Sequence, residues 1–266
     1  MGSKPGSDGR SGHEVPTSFS LKDTRVALHE SVVLKFDVKN NTDGSIHFDL
    51  GRDRKGNFLI AVTLPTGSKV QLQPVRKVGF SRPGGITVKP AESYSQELLL
   101  NEWMDFTATG HYEIEARLAK PIYSEADDPV GGEEVSRVEL DVTPRSELVL
   151  AKRCEALAGQ VEAFASYESA AQAALALSHV TDPVALPYLR RVLLAKKLVE
   201  PIAIEGLEKI ASADAVQALS LGLKIEYNDT AVLSRAALLR IESQTPDPTI
   251  KKEITRILSD ADKTTT

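Results

Sequence analysis

From Thr17 to Val142 apolar positions tend to alternate with polar ones, and turn residues interrupt them at short intervals. That is the pattern of half-buried strands, whose successive side chains face opposite sides of a sheet. The clearest strand runs from Ser31 to Lys39. There Val32, Leu34, Phe36 and Val38 fall on one face, while Lys35, Asp37 and Lys39 fall mainly on the other. Asn40-Asn41-Thr42-Asp43-Gly44 supplies turn chemistry before Ser45 to Leu50 resumes the strand pattern, which predicts a hairpin or near-hairpin. Further strands are expected at Asn57 to Leu64, Lys69 to Leu72, Tyr94 to Leu100, His111 to Leu118 and Val135 to Val142. Pro65-Thr66-Gly67, Pro83-Gly84-Gly85 and Thr109-Gly110 separate them. Roughly seven or eight short strands in about 125 residues fit a two-sheet sandwich.

After Thr143-Pro144 the texture changes, with Ala, Leu, Glu, Lys and Arg dominating. These are helix formers. Helices are expected near Ser146 to Ala158, Tyr167 to His179, Pro183 to Lys197, Pro201 to Ala211, Asp214 to Glu226, Thr230 to Glu242 and Pro248 to Ser259. Pro183, Pro201 and Pro248 suit first helical turns, where a missing N–H costs nothing, and Asp182 and Asp247 stand where capping residues belong. Three turns superpose: those beginning at Leu177, Leu207 and Leu239. Their spacing, 30 and 32 residues, marks helix pairs that bury their faces against one another.

Two resemblances follow from these residues. Thr109-Gly110-His111-Tyr112-Glu113-Ile114 resembles the approach to a late strand in immunoglobulin-like modules, and the segment Leu98 to Phe106 resembles the strand and turn before it. The resemblance implies that Tyr112 forms a corner hydrogen bond; with one cysteine in the chain, antibody-type domains are excluded. Asp182-Pro183-Val184-Ala185-Leu186-Pro187-Tyr188-Leu189 resembles the start of the second helix in short bacterial HEAT repeats, and this likeness spans about Ser166 to Ser259, weakening with each unit. The expected fold is therefore a multidomain α and β chain: an N-terminal all-β immunoglobulin-like sandwich and a C-terminal all-α HEAT-like helical repeat array. The boundaries are a disordered leader at 1–16, the sandwich at 17–143, the helical domain at 146–260 and a disordered tail at 261–266.

Composition narrows the function by exclusion. The chain has 266 residues, a size for two ordinary domains, and its 41% hydrophobic and 26% charged content is globular. No apolar run reaches the length of a membrane span, so no membrane insertion is expected. A net charge of −5 lacks the basic footprint of a nucleic-acid binder. Some HEAT-like proteins act on DNA bases, but this charge and the lack of a catalytic acid in a basic groove argue against that here. The sole cysteine, Cys154, reads as a small apolar helix residue. The leader carries no apolar secretory stretch, and an extracytoplasmic site is favoured only if a signal peptide once preceded it.

No Walker loop, nucleophile elbow, H-E-x-x-H or Cys-His zinc spacing occurs, and the histidines His13, His29, His47, His111 and His179 stand singly. The chain is expected to be non-catalytic, with no cofactor and no metal. The acidic stretch Glu125 to Glu134 lacks the order of a calcium loop and reads as a solvated turn. If the second helices line a groove, Tyr188, Arg191, Lys224, Lys252 and Arg256 are the candidates for its face. An aromatic and several cations would suit an acidic segment of a protein partner. The expected function is a protein-binding scaffold or adaptor. The alternative is an enzyme regulator or inhibitor acting through sandwich loops, since bacterial proteinase-inhibitor modules of immunoglobulin-like fold look broadly similar.

Overall fold

The computed structural model describes residues 15–51, 54–73, 84–227 and 229–264. Its strands are β1 (Thr17–Leu21), β2 (Arg25–Ala27), β3 (Val33–Lys39), β4 (Ile46–Asp49), β5 (Phe58–Thr63), β6 (Lys69–Leu72), β7 (Gly85–Val88), β8 (Ser93–Leu99), β9 (Gly110–Leu118), β10 (Ile122–Ser124), β11 (Pro129–Gly131) and β12 (Ser136–Thr143). The helices are α1 (Glu147–Ala163), α2 (Tyr167–Ser178), α3 (Leu186–Leu194), α4 (Glu200–Ile210), α5 (Ala213–Gly222), α6 (Thr230–Gln244) and α7 (Pro248–Thr264). The chain thus has β-sheets in its N-terminal part and a helical C-terminal part. It divides into two compact units, Met1–Thr24, Val33–Leu98 and His111–Asp141 in the first, and Arg25–Val32, Leu99–Gly110 and Val142–Thr266 in the second.

In the first unit, β1, β3 and β8 form one sheet in the order β1-β3-β8; β11-β10-β4-β7 form another; β12, β9, β5 and β6 lie side by side in a third. The alternation sets the register: Phe19 lies opposite Phe36 and Leu21 opposite Leu34 between β1 and β3, while Ile60 meets Ala116 and Val62 meets Ile114 between β5 and β9. These inward residues form the core. Phe36 packs its ring 5.4 Å from Phe58 on β5 and 6.2 Å from Phe48 on β4, so all three sheets share one aromatic centre. Burying each large apolar side chain in this core contributes about 1.5–3 kcal/mol.

Several expectations need correction here. Val15, expected in the disordered leader, is 1% exposed, and its N–H donates to the Val130 carbonyl at 2.8 Å; residues 1–14 lie outside the described residues. Gly85 opens a strand instead of ending a turn, with Pro83 outside the described residues. The acidic stretch contains the short strand β11, paired with β10. The expected tail at 261–266 is helical as far as Thr264, because α7 keeps its apolar face through Ile254, Ile257 and Leu258. Helix α1 runs to Ala163, beyond the expected Ala158, with Val161 fully buried on its last turn.

The second unit joins the helices to two segments from the β-rich part of the sequence. The Leu28 N–H donates to Thr143 at 2.9 Å, Leu100 N–H to Val32 at 2.9 Å, and Val32 N–H to the Asn101 side chain at 2.6 Å. Glu30, 8% exposed, accepts from the Ala27 N–H and faces Arg153 of α1 at 3.6 Å. His29 meets Thr181 at 3.2 Å. The core of this unit therefore takes in Val26, Val32, Leu100 and Phe106 as well as helical residues.

Candidate functional site

The helices pack as two layers. Helices α2, α4 and α6 touch in succession, as do α1, α3, α5 and α7, and each hairpin (α1 with α2, α3 with α4, α5 with α6) closes across the layers. Side-chain caps begin these helices. Ser166 accepts from Ser169 N–H, Asp182 from Val184 N–H, Ser212 from Ala215 N–H and Asp247 from Thr249 N–H. Pro183 opens a 3-10 turn ahead of α3, so the capping roles of Asp182 and Pro183 are met in a turn and not at the helix itself. Gly206 permits a close approach of α4 to α2. A Cβ there would lie 2.8 Å from the Ser178 Cα and 2.8 Å from the Leu189 Cδ2.

The repeat register differs by one residue from the expected one. Leu177 and Leu207 are fully buried, but Leu239 is 47% exposed and Leu238 is buried in its place.

Asp182 does more than cap. It is 3% exposed and accepts from the Arg145 guanidinium through Nε and, at 3.0 Å, Nη2. That hydrogen bonding holds its carboxyl below the usual carboxylate range against the opposing effect of burial, and the Arg145 guanidinium is raised in turn. Nearby, Cys154 is fully buried, and burial first, then the charges of Asp182 and Glu30, push its thiol up to about 12.

The five groove candidates lie on one layer but do not make one free cationic face. Arg191 on α3 is held by α1: its guanidinium donates to Glu155 at 2.6 Å and to Glu162 at 2.8 and 3.0 Å, and stands 5.9 Å from the Tyr188 ring. Hydrogen bonds donated to these carboxylates raise the Arg191 pKa, and Glu162 is lowered correspondingly. Arg256 on α7 is taken by Glu253 at 2.6 Å and Asp260 at 3.3 Å on its own helix. Lys224 falls beyond the end of α5 and is exposed, as is Lys252 on α7. Tyr188 is half-buried on α3. Sequence spacing cannot reveal the partners of Arg191, because they come from α1, 29 and 36 residues earlier in the chain.

Elsewhere, Tyr112 is 2% exposed on β9. His111 meets Asp141 at 3.0 Å, which raises its pKa. In the acidic stretch Glu125 accepts from the Ser45 N–H and Asp127 pairs with His47 at 3.1 Å. Among the described residues no three His, Cys, Asp or Glu side chains are placed to hold a metal ion, and no helix is long and apolar enough to cross a membrane. A shallow groove of about 580 Å³ lies between α6 and α7, lined by Arg235, Glu242, Thr255, Leu258, Ser259 and neighbours.

No family model matches the chain, and no curated protein matches it. Among solved structures it is similar to the CARDB domain of a Pyrococcus furiosus protein in complex with di-metal ions, at 14% identity over 50% of this chain and 97% of that one, with a TM-score of 0.28. It is also similar to the alkylpurine DNA glycosylase AlkC of Pseudomonas fluorescens bound to DNA containing an abasic site analog, at 9% identity over 51% of this chain and 32% of that one, TM-score 0.26. A beta-glucosidase mutant from Listeria innocua in complex with laminaribiose shows 12% identity over 48% of this chain and 16% of that one, TM-score 0.26. At such low scores the architecture rests on the sheets and helices of the chain itself.

Proposed function

We propose that this chain is a non-catalytic protein-binding scaffold or adaptor, an immunoglobulin-like β-sandwich joined to a HEAT-like array of helical hairpins. The observation that carries the reading is the stacking of α2-α4-α6 against α1-α3-α5-α7, with Leu177, Leu207 and Leu238 buried at equivalent places. Stacked hairpins leave a long outer surface, and such surfaces serve partner binding. A buried Tyr112 on β9 suits the corner residue of an immunoglobulin-like module. Net charge −5 favours a protein partner over nucleic acid.

The test is affinity capture by the whole chain from its native extract, beside a variant carrying Tyr188→Ala, Lys224→Glu and Lys252→Glu, with bound proteins identified by mass. The scaffold reading expects a reproducible protein partner that the intact chain retains. Loss in the variant assigns contact to the α3-α5-α7 side, and retention moves it elsewhere on the chain. Capture of nothing above an empty resin overturns the reading.

A further inference from the structure

We propose that the first two hairpin turns of the helical unit, α1 to α2 and α3 to α4, form a docking site for an amphipathic segment of a partner protein that carries carboxylates beside its apolar side chains. This rests on the scaffold reading and names its contact surface. Exposed apolar side chains stand at both turns: Tyr167 is 52% exposed, Leu194 44% and Leu198 45%. The two turns are in contact, since the Lys197 ammonium sits 5.2 Å from the centre of the Phe164 ring. Scattered single apolar residues need no explanation, but a contiguous group does.

A second observation falls on the same turns. Phe164, Lys196 and Leu198 adopt left-handed backbone, with φ of 45°, 54° and 64°. Glycine would sit there without strain, yet the chain holds large side chains in that conformation, and such strain concentrates at working surfaces.

Charge selects the partner. Arg190 and Lys196 are exposed beside Leu194 and Leu198 and form no ion pair among the described residues, whereas Arg191, Arg240 and Arg256 are all consumed by internal carboxylates. Of the acidic residues near these turns, Glu155 and Glu162 share the Arg191 guanidinium, Glu168 is engaged and Glu200 is fully buried. An apolar patch rimmed by unspent cations complements carboxylates. The apolar side chains are only about half exposed, so they form a shallow patch for a peptide and lack the protrusion that insertion into a bilayer requires.

The probe is a short fluorescein-labelled helical peptide of Leu, Ala and Glu with its leucines on one face, compared with the same peptide carrying Lys for Glu. Both are titrated by anisotropy against the full chain, with sedimentation on phosphatidylcholine and phosphatidylserine vesicles in parallel. The Glu peptide is expected to bind and the Lys peptide not. Arg190→Glu with Lys196→Glu, and separately Tyr167→Ser with Leu198→Gly, should each weaken binding at least about tenfold while leaving the helical circular dichroism unchanged and without lowering the melting temperature. No binding of the Glu peptide, equal binding by either variant, or binding of vesicles alone overturns the site. A partner captured from extract and retained by both variants also sinks this site while leaving the scaffold reading standing; capture of no protein at all sinks that reading first.

Discussion

Replacing Arg145 by Met should destabilise the helical unit more than replacing its partner Asp182 by Asn, although both changes break the same ion pair. Asp182 is 3% exposed and Arg145 is 45% exposed. In Arg145→Met the buried carboxylate keeps only the Val184 N–H at 3.0 Å as a donor, and an orphaned buried charge costs about 3–5 kcal/mol. In Asp182→Asn the cap survives, because Asn serves as well as Asp, and the half-exposed guanidinium stays hydrated, so about 1–2 kcal/mol is lost. The gap between the variants should be about 2 kcal/mol. Urea unfolding followed by helical circular dichroism at neutral pH measures it. The pH dependence gives a second reading. The folded Asp182 carboxyl lies below its unfolded value of about 3.9, so its contribution is complete above that pH and fades as pH falls through the lower folded value. The advantage of wild type over Asp182→Asn should therefore shrink in acid. An Asp182→Asn cost equal to or above that of Arg145→Met refutes the buried-charge reasoning.

Gly206→Ala should cost about 2 kcal/mol, read as a lower urea midpoint, because its methyl would stand 2.8 Å from the Ser178 Cα and force α2 and α4 apart. Residues 142–264 expressed alone should be poorly helical and bind a hydrophobic dye, since the unit then lacks Val32 and Leu100, both fully buried; a cooperative, native-like melt of that piece would refute this. Cys154 should resist a thiol reagent in the folded chain at neutral pH and react on unfolding in urea, as expected of a fully buried thiol pushed up to about 12. Arg256→Ala should shift stability by under about 0.5 kcal/mol, because its partners Glu253 and Asp260 sit on the same exposed helix face.

Much of the secondary structure was legible from side-chain periodicity. The alternation at Val32 to Val38 places β3, and Tyr167, Pro248 and the cap Asp247 mark helix starts within a residue or two, while Asp182 caps the 3-10 turn ahead of α3. Strands β10 and β11 escaped notice because three residues are too few to show a period, and their turn carries Asp127 at φ 61°. Leu239 was a natural choice for the third repeat, and only packing reveals that Leu238 fills the core. Among the candidate contact residues, Arg191 and Arg256 looked like free cations in a linear reading. Their carboxylates are supplied by α1 in one case and by the same helix in the other, so the spacing of positive charge overstated the cationic face. The patch at Tyr167, Leu194 and Leu198 left no periodic signal, because its members come from two separate turns.

The helical unit gathers its core from Arg25–Val32, Leu99–Gly110 and everything after Val142. In the history of such a chain this weighs against exchange by cassette. A genetic cut after Thr143 carries away seven helices and abandons the early segments that close their core, so the helical half is not portable on its own. During synthesis those early segments emerge long before the helices that need them, and the unit is completed only when the last third of the chain has been made.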